Sequence, residues 1–179
     1  MLKTESASLL IVDIQGNLAH TMCEKELLFK NVKKLIKGVQ VLGIPIIWTE
    51  QNPKGLGPTI PEIEDLLSDI RPISKMTFSC CRNDLFMQAL KALNRKQVMI
   101  SGIETHVCVY QTALDLVDLG YEVQVVTDAV SSRNAANREI GLQKMRDYGV
   151  SLTGVETALF ELLKTAEGEQ FRNILKIVK

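Results

Sequence analysis

Hydrophobic positions along the chain alternate between two patterns. Leu9-Leu10-Ile11-Val12 is a short continuous apolar run, as expected of a strand buried on both faces. Val32, Leu35, Ile36 and Val39 then recur at i, i+3, i+4 and i+7, which predicts an amphipathic helix ending near Gly43. Ile44-Pro45-Ile46-Ile47-Trp48 predicts a second strand, and residues 51–61, with three prolines and two glycines, a long loop. Asn83 can cap a helix running to about Leu93, ahead of a third strand at Gln97–Ser101. Val109, Ala113 and Leu116 mark one face of the next helix, which stops at Gly120, and Glu122–Val126 predicts a fourth strand. A helix over Ala135–Tyr148 closed by Gly149, a short fifth strand at Ser151-Leu152 and one or two helices from about Thr157 complete the pattern. Strands separated by helices pair in parallel through right-handed crossovers. The expected fold is α/β, a three-layer α/β/α sandwich with a mostly parallel sheet, forming one domain over residues 1–179.

Ligand sites in such sheets lie beyond the carboxyl ends of the strands. Asp13, Thr49-Glu50-Gln51, Gly102-Ile103-Glu104-Thr105 and Thr127-Asp128 should therefore converge on one edge.

Composition removes several function classes. Lys+Arg and Asp+Glu both number 21, and no basic cluster gives a footprint for nucleic acid. The apolar share of 46% and charged share of 23% are those of an ordinary globular chain rather than a disordered one. No apolar stretch approaches the ~18 residues of a membrane span, and no basic segment precedes an apolar one at the start. The four cysteines, Cys23, Cys80, Cys81 and Cys108, lack disulfide-scaffold or zinc spacing, so a reduced, cytoplasmic protein is expected.

Among residues that could carry chemistry, Cys108 is the most informative. With Thr105 as N-cap it falls in the first turn of a helix, where free amides and the helix dipole favour a thiolate and lower its pKa. A free cysteine is otherwise a small buried hydrophobe. Asp13 ends an apolar strand, where a buried carboxylate needs a partner or a function; a cap is the alternative. Lys75 on its own suggests a solvated lysine. Together the three satisfy the logic of a nucleophile, a base and a cation that keeps the base charged. His20 and His106 lack ligand spacing, Cys80-Cys81 suggest packing residues, and Ser131-Ser132-Arg133 a helix cap or site-edge loop.

Leu10-Ile11-Val12-Asp13-Ile14-Gln15, Lys75 ahead of Phe78, Gly102-Ile103-Glu104-Thr105-His106-Val107-Cys108-Val109 and Asp128-Ala129-Val130-Ser131-Ser132-Arg133 together resemble the isochorismatase-like cysteine hydrolases. The segment Thr49–Gly57 is similar to a loop of the small isochorismatase-domain proteins in that family. The resemblance implies a Rossmann-like sandwich and a catalytic triad of Asp13, Lys75 and Cys108. It also implies a cis peptide between Ile103 and Glu104, with an oxyanion hole from the backbone amides of Glu104 and Cys108. Gln15, Trp48, Phe78 and Thr105 are expected to line the substrate pocket. Nicotinamidases of the family carry an Asp-x-His metal cluster where this chain has Thr49-Glu50-Gln51, so neither a metal nor another cofactor is expected. Isochorismatases proper generally lack the cysteine, which argues against isochorismate as substrate.

The expected function is hydrolysis of a small amide (or nitrile) through a thioester on Cys108. A non-catalytic interaction protein or a thiol sensor retaining the fold are the alternatives. Phe171, Ile174, Leu175, Ile177 and Val178 form an apolar stripe near the chain end, part of which is expected to face another subunit of a homo-oligomer.

Overall fold

The computed structural model describes residues 1–179. Its elements in chain order are β1 (Ala7–Val12), α1 (Gly16–His20), α2 (Lys25–Val41), β2 (Ile46–Gln51), the short α3 (Pro53–Leu56) and α4 (Pro61–Glu64), β3 (Ile73–Lys75), α5 (Asp84–Ala92) and β4 (Gln97–Ile103). After them come α6 (Tyr110–Asp118), β5 (Glu122–Ser131), α7 (Ala135–Asp147), β6 (Ser151–Thr153), α8 (Val155–Leu163) and α9 (Gly168–Val178). A 3-10 turn spans Cys80–Arg82, and a π-turn over Thr105–Val109 leads directly into α6.

The six strands are all parallel, in the order β3-β2-β1-β4-β5-β6. This is the Rossmann order, whose direction reverses between β1 and β4. Crevices open at such a reversal because consecutive connections leave to opposite faces of the sheet. The pleat sends Leu9 and Ile11 into one core and Leu10 and Val12 into the other. The first core is closed by α2, α8 and α9 and the second by α5, α6 and α7, which gives the three layers.

Several details differ from the pattern-based expectation. β2 begins two residues later and continues to Gln51, because Pro45 lacks the amide that pairing requires while its carbonyl still accepts from Leu9 N at 3.0 Å. The edge strand β3 is only three residues long and carries Lys75, so no alternating pattern announces it. The apolar stripe of α9 is turned inward: Ile174 is fully buried, and Phe171, Ile177 and Val178 pack on the core under α2 and α8. Ile174 thus serves this chain's own core, while Phe171, Leu175, Ile177 and Val178 stay partly exposed. No helix is long and apolar enough to cross a membrane.

Gly102 couples the fold to the crevice. It pairs with Val12 in the β1–β4 register at φ +128°, and a Cβ there would lie 2.1 Å from the Val12 carbonyl oxygen. Only glycine permits the two strands to stay in contact at the point where both release the segments that line the crevice.

Candidate active site

Asp13 is the first residue beyond β1 and takes up φ +53°, a left-handed backbone that aspartate tolerates better than most residues. Its carboxylate is buried and accepts at both oxygens: from Lys75 Nζ on Oδ2 at 2.6 Å and from Thr49 Oγ1 on Oδ1 at 2.7 Å. The Lys75 side chain is fully enclosed. Besides Asp13 it faces Gln51 Oε1 at 2.8 Å and the carbonyls of Thr77 and Phe78, each at 3.1 Å. An ammonium has three protons, so four acceptors leave it nothing to offer a further anion. Burial alone would lower the lysine pKa, but Asp13, Cys80 and Cys108 together outweigh it and raise the value.

Cys108 lies in the π-turn beyond β4, 7% exposed, and shares the lining of one small cavity with Asp13. Asp13, Lys75 and Cys108, apart in sequence, are thus brought together at the β1–β4 reversal. The N-cap of this helical segment is Glu104 rather than Thr105, and neither residue caps through its side chain. The expected lowering of the Cys108 pKa is reversed: burial first, and the Asp13 carboxylate second, push it up despite Lys75. The resting group is therefore a neutral thiol, near the Asp13 carboxylate. The peptide between Ile103 and Glu104 is cis.

Cys108 opens into a cavity of about 110 Å³ walled by Leu18, Leu56, Phe78, Ile103 and Val107, with Asp13, Gln51 and Glu104 as its polar members. A larger groove of about 460 Å³, lined by Lys75 with Asn52, Lys54, Met76, Thr77 and Asn83 among others, runs along β3 and includes neither Asp13 nor Cys108. Asp13 and Cys108 meet only in the smaller space.

The four residues expected around the substrate have different placements. Phe78 lines the cavity and is 55% exposed at its mouth. Trp48 does not line it; the indole is buried in the core beneath α2, because the β2 pleat sends it to that face. Thr105 is fully buried away from the cavity lining. Gln15 is also fully buried and acts as a clamp: its side chain accepts from Gln51 N at 2.6 Å and donates to the carbonyls of Gln51 at 3.2 Å and Gly57 at 2.7 Å. This holds the loop that carries Leu56 into the cavity wall. The loop rests on Gly16, φ +45°, where a Cβ would meet the Leu56 carbonyl at 2.0 Å.

Sequence reasoning placed Gln51 at the converging strand ends and Arg133 in a helix cap or site-edge loop, and it missed Leu18 and Leu56 as cavity residues. Arg133 donates its backbone N–H at 3.0 Å and Nε at 3.1 Å to the two carboxylate oxygens of Glu104, fixing a charge in the cavity wall.

The Isochorismatase domain matches residues 7–157. The chain belongs to the isochorismatase family. Isochorismatase domain-containing protein 2 of Danio rerio is 36% identical over 99% of this chain and 89% of its own length. The structure of MAR1 ribonuclease from Caenorhabditis elegans superposes with a TM-score of 0.92 at 34% identity, covering 99% of this chain and 91% of that one. The YcaC gene product of Escherichia coli, described as an octameric hydrolase of unknown specificity, gives 0.93 at 28% identity over 98% and 88%.

The metal found in some isochorismatase-family enzymes does not suit these residues. Glu50 Oε1 accepts from Thr59 N at 2.7 Å and Thr59 Oγ1 at 2.9 Å. Gln51 gives its oxygen to Lys75 and its amide to Met76 O at 3.0 Å. No group of three or more His, Cys, Asp or Glu side chains is arranged to hold an ion.

Proposed function

We propose that this isochorismatase-family hydrolase cleaves the C–N bond of a small neutral amide through a thioester on Cys108. The observation that supports the reading is the placement of Cys108 and of Asp13, itself ion-paired with Lys75, at one small apolar cavity. Asp13 takes the thiol proton as sulfur attacks the carbonyl carbon, and Lys75 keeps the carboxylate charged until then. The carbonyl electron pair moves to oxygen, and the amides of Glu104 and Cys108 are the proposed donors to that oxyanion. Collapse of the intermediate breaks the C–N bond, and Asp13 passes its proton to the departing nitrogen. Water, deprotonated by Asp13, then cleaves the thioester to the acid and restores the thiol.

The neutral substrate class follows from charge. The cavity wall holds the carboxylates of Asp13 and Glu104, and its one neighbouring ammonium is fully engaged. The Arg133 guanidinium beside the wall is likewise paired, with Glu104, so an anionic substrate such as isochorismate would find no unpaired cation in the lining. The volume of about 110 Å³ falls below the ~300–1,000 Å³ of sites for drug-sized ligands. The name ribonuclease belongs to the worm protein; a cavity of this size, in a chain with no net charge, favours a small molecule over a polyanion. Four unpaired thiols suit a reducing compartment such as the cytoplasm. The octameric bacterial neighbour supports a homo-oligomer.

Screening short aliphatic and aromatic amides and nitriles for ammonia release tests the reading. Wild type should release ammonia from a neutral amide and Cys108→Ala should not. Turnover that survives in Cys108→Ala would overturn the nucleophile assignment.

A further inference from the structure

The proposed reaction uses one buried thiol and leaves another, Cys80, without a role. Cys80 is fully buried in the 3-10 turn after β3. Its amide donates to Thr112 Oγ1 at 3.0 Å, and Thr112 lies one helical turn beyond Cys108 on the same face. Its sulfur lies 3.8 Å from Thr49 Oγ1, and that oxygen lies 2.7 Å from Asp13 Oδ1. Thr49 is itself only 1% exposed. A buried chain of three polar atoms therefore ends on the carboxylate that faces Cys108.

This chain has a direction. A hydroxyl owns one proton and can give it to one neighbour only. The carboxylate paired with Lys75 can only accept. The Cys80 thiol is pushed up to about 11, by burial above all, and so keeps its proton at neutral pH. Sulfur is a poor acceptor and a weak donor, whereas the Thr49 oxygen accepts readily. Cys80 Sγ–H thus points at Thr49 Oγ1, and Thr49 O–H points at Asp13 Oδ1. With Lys75 on Oδ2, both carboxylate oxygens are anchored and the carboxylate plane cannot turn.

We infer that Thr49 is a positioning residue, its hydroxyl oriented by Cys80, which fixes Asp13 in the attitude that takes the Cys108 proton. The inference rests on the proposed role of Asp13 as base. The titratable groups facing Asp13 are Lys75 from β3, Cys108 from the π-turn, Cys80 from the 3-10 turn and Glu104 across the cavity.

Thr49→Val removes the hydroxyl at nearly constant shape, and Thr49→Ser keeps it. Two readouts are taken across pH: steady-state turnover of an amide substrate, and the rate of Cys108 alkylation by iodoacetamide, followed by peptide mass. In Thr49→Val, kcat should fall roughly tenfold or more with KM held within about twofold. Loss of one of its two side-chain donors frees the carboxylate to turn, so the rate of Cys108 alkylation should fall along with kcat at each pH. Thr49→Ser should restore both, and Cys80→Ala should lower kcat in the same direction by less. An unchanged Thr49→Val profile overturns the inference, as does a Thr49→Ser variant equally impaired. Should Thr49→Val fail to fold, Thr49→Ala carries the same comparison. If wild type turns over no amide, the proposed function falls, while the alkylation profiles still decide the role of Thr49.

Discussion

Replacing Lys75 by Met removes the ammonium from a fully enclosed site while keeping a chain of similar length. Asp13 Oδ2 then loses its 2.6 Å partner, and Gln51 Oε1 and the Thr77 and Phe78 carbonyls lose theirs. Breaking a buried ion pair by deleting one member costs ~3–5 kcal/mol, because the other charge stays buried without compensation. Against a total stability of ~5–15 kcal/mol, that is a large fraction. With a urea m-value of about 2 kcal/mol/M, the midpoint should fall by about 1.5–2.5 M. The double variant Lys75→Met with Asp13→Asn leaves no buried charge and should recover about half of the loss or more.

The pH dependence fixes the sign. The folded Lys75 pKa is raised above its unfolded value, so its contribution is complete below the ordinary lysine pKa, ~10.4, and is lost as pH rises through the higher folded value. Urea titrations of wild type and Lys75→Met should therefore stay a constant distance apart from about pH 6 to 9 and converge only above about pH 10.5. A single-variant cost below about 1 kcal/mol would place the pair among solvated surface bridges and refute the reasoning. So would convergence near neutral pH.

Two further outcomes follow from the fold. Gly102→Ala places a Cβ 2.1 Å from the Val12 carbonyl at a φ of +128°, so it should cost about 4 kcal/mol or more in urea denaturation; a loss under about 1 kcal/mol would mean that β1 and β4 separate freely. Light scattering of the purified chain should give a mass above that of one 20.0 kDa chain, and a monomer at micromolar concentration would refute the proposed oligomer.

The layers were legible because burial on both faces leaves an unmistakable mark: Leu9–Val12 and the later apolar runs have no polar partner positions. β3 left no such mark. It is a three-residue edge strand with burial on one position only, and its single conspicuous residue, Lys75, has the look of a surface side chain until Asp13 is placed beside it. Trp48 was misplaced for a related reason. Its position near the end of a strand indicates the correct edge of the sheet, but the face is decided by the pleat, and one residue of register reverses it. Gln15 and Gln51 were expected near the site, but their clamp was not legible, since an amide clamp across a loop depends on contacts between segments far apart in sequence.

The case of Cys108 shows where local reasoning stops. A first-turn cysteine suggests a stabilised thiolate, because free amides and the helix dipole act at short range. Here the same turn is a π-turn sealed at 7% exposure beside a carboxylate, and desolvation with like-charge repulsion outweighs the dipole. A thiolate at rest would place a second negative charge against Asp13, already balanced by Lys75, in a space with no further cation. In the proposed reaction the proton moves from sulfur to Asp13 only as the new S–C bond forms, so the net charge of the buried group stays the same throughout. That places the demand on the orientation of Asp13 rather than on the acidity of Cys108, and it is why two donors, Lys75 and Thr49, hold the two oxygens of one carboxylate.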